Sequence, residues 1–95
     1  MKTATFVRNM DWNGDAALYK LSEPVSFKTA YDASPQTTGW VIASSVIARD
    51  HGGQECMIFP AKENGQAWSM LDIAARRGTL CHATVLAKLG YKIKE

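Results

Sequence analysis

The adjacent residues Cys81 and His82 are the first candidates for chemistry in this chain. A thiol beside an imidazole can act as a nucleophile with its general base, but such a pair normally comes from distant segments with a third group that orients the base. Neighbouring residues of a helix also point about 100° apart. His82 shares an apolar stripe with Val85, Leu86 and Leu89, at the spacing of one helix face. We therefore interpret His82 as a packed, hydrogen-bonded residue and predict no catalytic residues.

Other patterns for metal or phosphate chemistry are weak. The candidate zinc ligands are His51, Cys56, Cys81 and His82. No CxxC or HxxxH spacing joins them, so we predict no metal site. The pair Gly52-Gly53 lacks the phosphate-loop pattern and precedes a strand pattern rather than a helix. No pair of carboxylates has the spacing of a general acid and base. We expect no cofactor and no enzyme activity, so a small enzyme ranks third among the hypotheses for this chain.

Composition indicates one globular domain, residues 1–95. The chain is 46% hydrophobic, and its eleven basic and nine acidic residues give a net charge of +2. This balance does not favour a nucleic-acid partner, although it leaves one open. The N-terminal "MKTATFVRNMDWNGD" lacks the apolar run of a signal peptide, and no stretch approaches the ~20 apolar residues of a membrane helix. We expect a cytoplasmic protein without a membrane partner. Cys56 and Cys81 are expected to be free thiols, with a disulfide as the alternative.

The elements that must position these residues are mainly strands. The predicted strands cover 4–8, 16–21, 40–49, 54–60 and a short edge strand 67–71. The dipeptides Asn13-Gly14 and Asn64-Gly65 predict turns, because asparagine and glycine accept a positive φ cheaply. Residues 72–78 are compatible with a helical turn or a loop. A helix is predicted over 80–89.

The ends of this helix also have sequence signals. Thr79 is the predicted N-cap, and Lys88 in the last turn suits the helix dipole. Gly90 is predicted at the left-handed position that follows the helix, with Tyr91 packing back onto the sheet. The fold class is therefore α+β: a mainly antiparallel sheet of four or five strands with one C-terminal helix packed on one face. The predicted core is Phe6, Leu18, Trp40, Ile42, Val46, Met57, Phe59, Val85, Leu86 and Leu89.

Two features suggest a binding surface. Residues 22–39, with two prolines and many polar residues, predict an irregular loop. Its aromatic residues Phe27 and Tyr31 either fasten the loop to the core or recognise a partner. The second feature is charge: Arg76, Arg77 and Arg49 form either a small basic patch for an acidic partner or a set of solvated charges. Trp12, beside a turn, is expected to be exposed. The predicted partner-binding residues are Trp12, Phe27, Tyr31, Arg49, Arg76 and Arg77.

The order of four segments resembles a family of short proteins encoded by phages and prophages. The segments are "FVRNMDWNGDAALYKLSEPV", "WVIASSVIA", "GGQECMIFPAKENGQAW" and "RGTLCHATVLAKLGY", within 6–28 and 40–91. The matching positions are Trp12, Asn13, Gly14, Leu18, Tyr19, Glu55, Phe59, Pro60, Gly65, Trp68, Gly78, His82, Leu86, Gly90 and Tyr91. Residues 29–39 look like an insertion relative to the family, and "SMLDIAAR" replaces a more glycine-rich approach to the helix.

The resemblance implies a phage setting in a bacterial host cell. It implies a small non-catalytic protein that binds a host or phage protein complex and modulates or inhibits it, as anti-CRISPR proteins do with a bacterial defence complex. The alternative is a structural or assembly protein of the virion, which would associate with itself.

Overall fold

Six strands and one short helix follow one another in the computed structural model, which describes residues 2–12, 14–28, 34–48 and 53–94. The elements are β1 (Lys2–Met10), β2 (Asp15–Phe27), β3 (Gln36–Ala48), β4 (Gly53–Ala61), β5 (Ala74–Arg77), α1 (His82–Lys88) and β6 (Tyr91–Lys94). The strands form one mixed sheet in the order β5-β4-β3-β2-β1-β6. The α+β class and the single C-terminal helix are confirmed, but the described sheet has six strands, not four or five.

The first five strands form an antiparallel meander. The chain then passes from β5 at one edge to β6 at the other edge, where β6 pairs in parallel with β1. β5 and β6 run in the same direction, so the chain must cross the sheet between them, and α1 lies in this connection. This crossing carries the helix over one face of the sheet, where α1 contacts β3, β4, β5 and β6.

Side chains on alternate strand positions build two apolar clusters, one on each face of the sheet. The face under α1 holds the larger cluster: Ala4, Ala17, Tyr19, Leu21, Val41, Ala43, Cys56, Ile58, Val85, Leu86 and Tyr91. The opposite face holds a smaller one: Ala16, Leu18, Ile42 and Ala61, with Met10, Trp12 and Trp40 packed against it. The sheet therefore has apolar material on both faces, although the helix covers only one.

The predicted core is largely confirmed. Leu18, Ile42, Phe59, Val85 and Leu86 are buried. Partial burial is found for Trp40, Val46, Met57 and Leu89.

Phe6 is the error in the predicted core, because its side chain is 49% exposed. The β1–β2 register shifts between Phe6 and Arg8, and β6 pairs only with Lys2–Thr5. Phe6 thus lies on the half of β1 that the described part of β6 does not cover. It keeps one edge-to-face contact with Tyr19, with the ring centroids 6.1 Å apart.

More than half of the irregular loop predicted over 22–39 is strand in the structure, and residues 29–33 lie outside the described residues. β2 extends to Phe27 and β3 begins at Gln36. Pro24 disfavoured a strand on sequence grounds, but it falls where the β2–β3 register shifts between Lys20 and Val25. A proline is tolerated at such a bulge, because the missing N–H is not needed for the ladder there.

The edge strand predicted over 67–71 is also wrong. Only Ala67 makes a β-bridge there, to Ala61, and β5 instead occupies 74–77, within the stretch predicted as a helical turn or a loop. The short sequence "AARR" has little strand character of its own. It becomes a strand because β4 offers it a free row of backbone hydrogen-bonding groups.

The helix matches the prediction in its position and in its C-terminal end. Gly90 has φ of +93° directly after the helix, and Lys88 occupies the last turn, as predicted. Cys81, rather than Thr79, occupies the N-cap position. The Thr79 hydroxyl instead accepts a hydrogen bond from the Cys81 amide at 3.0 Å, within the loop that leads into the helix. Tyr91 is buried, as predicted, and begins β6.

Candidate functional site

The His82 ring joins the helix to the start of β2. Its Nε2 lies 3.0 Å from the Asp15 carbonyl oxygen, and its Nδ1 lies 3.0 Å from the Tyr19 hydroxyl. A carbonyl oxygen can only accept, so Nε2 carries the proton, and in the neutral ring Nδ1 accepts from Tyr19. The His82 side chain is only 9% exposed. The prediction of a packed, hydrogen-bonded histidine is confirmed, and both ring nitrogens are engaged in holding the fold together.

The two cysteines are free and occupy different environments. Cys56 is fully buried, and burial raises the pKa of its thiol. Cys81 is exposed, and the pKa of its thiol is lowered because the Thr84 hydroxyl and the amides of Thr84 and Ala83 stabilise the thiolate. Burial also raises the pKa of the Tyr19 hydroxyl, with a smaller effect from the negative charge of Asp15.

Within the four described ranges, no three His, Cys, Asp or Glu side chains lie close enough together to hold a metal ion. His51, one of the four candidate ligands, lies outside the described residues. The described ranges also contain no helix with the length and apolar content needed to cross a bilayer.

The aromatic residues predicted for partner binding are less accessible than expected. Trp12 is half-buried rather than exposed, and its ring packs against Phe59 with the centroids 5.6 Å apart. Phe27 is buried against Trp68, with the centroids 5.9 Å apart. Of the two alternatives for Phe27, this burial supports fastening to the core. Tyr31 lies outside the described residues.

The predicted basic patch is divided by the sheet. Arg76 and Arg77 are both exposed on β5, at the sheet edge. They are consecutive strand residues, so their side chains leave on opposite faces. Arg77 lies 3.5 Å from the carboxylate of its cross-strand neighbour Glu55. Arg49, the third member, lies outside the described residues.

An exposed apolar segment that sequence reasoning missed lies between β4 and β5. This segment, here called the apolar segment, presents the side chains of Trp68, Met70 and Leu71, of which Met70 is 68% exposed. Trp68 is held in place by Phe27 and by the Lys62 ammonium 4.9 Å from its ring. The prediction of an edge strand over "AWSML" does not place these side chains in solvent together. The three large apolar residues at 68–71 were the available signal.

A second feature that the sequence did not indicate is a row of two lysines, a threonine and a tryptophan on the face opposite α1. Four paired positions form it across four adjacent strands: Lys94 (β6), Thr5 (β1), Lys20 (β2) and Trp40 (β3). We call it the lysine row. Each member is adjacent in sequence to a residue whose side chain belongs to the cluster under α1, namely Ala4, Leu21, Val41 or Ile93. Because side chains alternate between faces, the row lies on the other side of the sheet.

Comparison of the chain with protein-family models, with curated proteins and with solved structures finds no match.

Proposed function

We propose that this protein is a small non-catalytic binding protein that modulates or inhibits a macromolecular complex in the bacterial cytoplasm, such as a defence complex. The observation that carries the proposal is the apolar segment. Three large apolar side chains, Trp68, Met70 and Leu71, are exposed together within four consecutive residues. Single exposed apolar residues are ordinary, whereas a contiguous exposed group is typical of an interaction surface.

The residue types in this segment suit a protein partner. Tryptophan is among the residues most enriched at the energetic centres of protein interfaces, and methionine adapts its shape to a partner surface. Trp68 is already oriented by Phe27 and Lys62, so less conformational entropy is lost when a partner covers it.

The environment of His82 supports a non-catalytic role. A general base must reach a substrate proton, whereas both nitrogens of this ring already have partners within the fold. The resemblance to small phage proteins supports the setting, a bacterial cell in which such proteins bind host complexes.

A tagged pull-down from bacterial lysate, treated with nuclease and analysed by mass spectrometry, tests the proposal. The test variant is Met70→Glu, which places a charge in the apolar segment. The matched control is Ile47→Glu, because Ile47 is 66% exposed but lies near the end of β3. We expect one stoichiometric complex with the parent protein and with Ile47→Glu, and its loss with Met70→Glu. Equal capture by both variants would remove the apolar segment from the proposal.

The open half of β1 favours the second candidate, a virion structural or assembly protein. In the described part of the sheet, β6 pairs with β1 only as far as Thr5, and the exposed Phe6 and Val7 follow. An uncovered strand edge with apolar side chains can pair with a second copy of the chain. Light scattering at increasing protein concentration tests this candidate. A monomer throughout contradicts it, and self-association that Val7→Lys abolishes supports it.

A further inference from the structure

The lysine row continues into a second line of basic and hydroxyl side chains. On β6, Lys92 lies two residues from Lys94 and pairs with Thr3 of β1. The Thr3 amide in turn donates to the Ser22 hydroxyl at 2.8 Å. This face thus presents three lysines together with the hydroxyl groups of Thr3, Thr5 and Ser22, and none of these positions is acidic. A groove of about 410 Å³, lined by Thr3, Lys92, Ile93 and Lys94, opens at the β6 end.

The spacing of these groups suits an extended polyanion. Neighbouring strands are about 4.8 Å apart and alternate residues of a strand are about 6.6 Å apart. The Cα atoms of the three lysines therefore span roughly 10 Å. Flexible lysine side chains can adjust over that span to successive phosphates. The row ends at Trp40, a half-buried indole with the Lys20 ammonium 5.6 Å from its ring centroid.

Two physical arguments favour a nucleic acid over an acidic protein. A protein interface needs an apolar centre with few charges. The lysine row and the second line beside it instead carry charges and hydroxyl groups, with Trp40 as the aromatic member. Surfaces that bind single strands combine cations along the backbone with an aromatic face on which a base can stack. The broad sheet also does not fit a duplex major groove, which admits a helix or a two-stranded ribbon.

We propose that the lysine row, together with the adjacent Lys92, binds the sugar–phosphate backbone of single-stranded nucleic acid, and that a base stacks on Trp40 in place of the Lys20 ammonium. Lys20, Lys92 and Lys94 contact phosphates, and the threonine and serine hydroxyls of the same face supply neutral hydrogen bonds. The recognition is largely independent of base sequence, because the row carries few groups that could distinguish base edges. This inference goes beyond the proposed function and does not depend on the apolar segment.

Fluorescence anisotropy with a labelled 15-nucleotide oligothymidylate at several salt concentrations tests the inference. Three phosphate contacts give a slope of log K against log salt of roughly −2.1, so affinity falls about 20-fold between 50 and 200 mM salt. The double variant Lys20→Gln/Lys94→Gln should leave one contact and reduce this loss to about threefold. Trp40→Leu keeps an apolar side chain and should weaken binding by about fivefold or more.

The matched control is Arg76→Gln/Lys88→Gln, which removes the same charge away from the row. Arg76 lies on β5 at the other sheet edge and Lys88 lies on the helix. We expect the parent slope for this control and for Met70→Glu, so failure of either proposal can be recognised separately. Three results would overturn the inference: no binding at 50 mM salt, equal losses in the two double variants, or tighter binding of a duplex or of polyglutamate than of the oligonucleotide.

Discussion

Replacing Gly14 by alanine should reveal how closely the β1–β2 turn approaches β3. Gly14 has φ of +81°, in the region that favours glycine. A Cβ atom there would overlap the Ser45 carbonyl oxygen and would lie 3.0 Å from Val46 Cγ1. Gly78 is the natural control, because its φ is +84° but no heavy atom lies within 4 Å of an added Cβ. The two glycines share the backbone requirement and differ in available space.

The expected losses follow from this difference. The left-handed conformation costs an alanine roughly 1–2 kcal/mol at either position. At Gly14, repacking against Val46 adds about 1–3 kcal/mol, and disturbance of the backbone pairing at Ser45 adds about 1 kcal/mol. We therefore expect about 1–2 kcal/mol for Gly78→Ala and about 3–6 kcal/mol for Gly14→Ala. The larger value is a major part of the roughly 5–15 kcal/mol by which domains are stable.

Urea unfolding followed by circular dichroism measures both losses. At about 4–8 °C per kcal/mol, Gly14→Ala should also melt more than about 12 °C below the parent. Asparagine variants separate the two causes, because asparagine tolerates positive φ but retains a Cβ atom. Gly14→Asn should remain strongly destabilised, whereas Gly78→Asn should be close to the parent. Equal losses at Gly14 and Gly78 would refute the close approach between the turn and β3.

Two further predictions concern the contacts of the helix. Tyr19→Phe removes the hydroxyl that donates to His82. We expect the free energy of unfolding, measured with urea, to fall by about 1–2 kcal/mol, because a largely buried acceptor loses its partner. An unchanged unfolding midpoint would contradict this hydrogen bond. Cys81 should react with a disulfide reagent at neutral pH well before the buried Cys56, because its lowered pKa makes more thiolate available. Thr84→Val lacks the hydroxyl that stabilises the thiolate, so it should raise the pKa of Cys81 and slow this reaction. A faster reaction of Cys56 than of Cys81 would show that Cys81 is not the more reactive thiol.

Local sequence patterns predicted most of the strands and the helix, but they predicted almost none of the candidate binding surfaces. The β3–β4 hairpin, the short helix and the glycine after it could be predicted because their signals lie within about ten consecutive residues. Burial of Leu18, Ile42 and Leu86 also followed from local periodicity. The packed role of His82 was predictable for the same reason, since its place on an apolar stripe is a property of the helix alone.

Tertiary structure decided which short segments in the C-terminal part of the chain became strands. β5 and β6 are each four residues long, and they are strands because β4 and β1 offer them backbone partners. Phe27 is buried and Phe6 is exposed because of distant features: Trp68 covers the first, and the described part of β6 stops short of the second. No local pattern contains such information.

The candidate surfaces were decided in the same way. Lys20 and Lys94 are 74 residues apart in the sequence and meet in one row only because β6 lies at the far edge of the sheet and pairs with β1. A net charge of +2 does not indicate such a row, since composition counts charges without placing them. The sequence by itself determined the central parts of the first four strands and the position of the helix, because those preferences act between near neighbours. The order of the strands, and the face that each charge occupies, came from pairing between residues far apart in the chain.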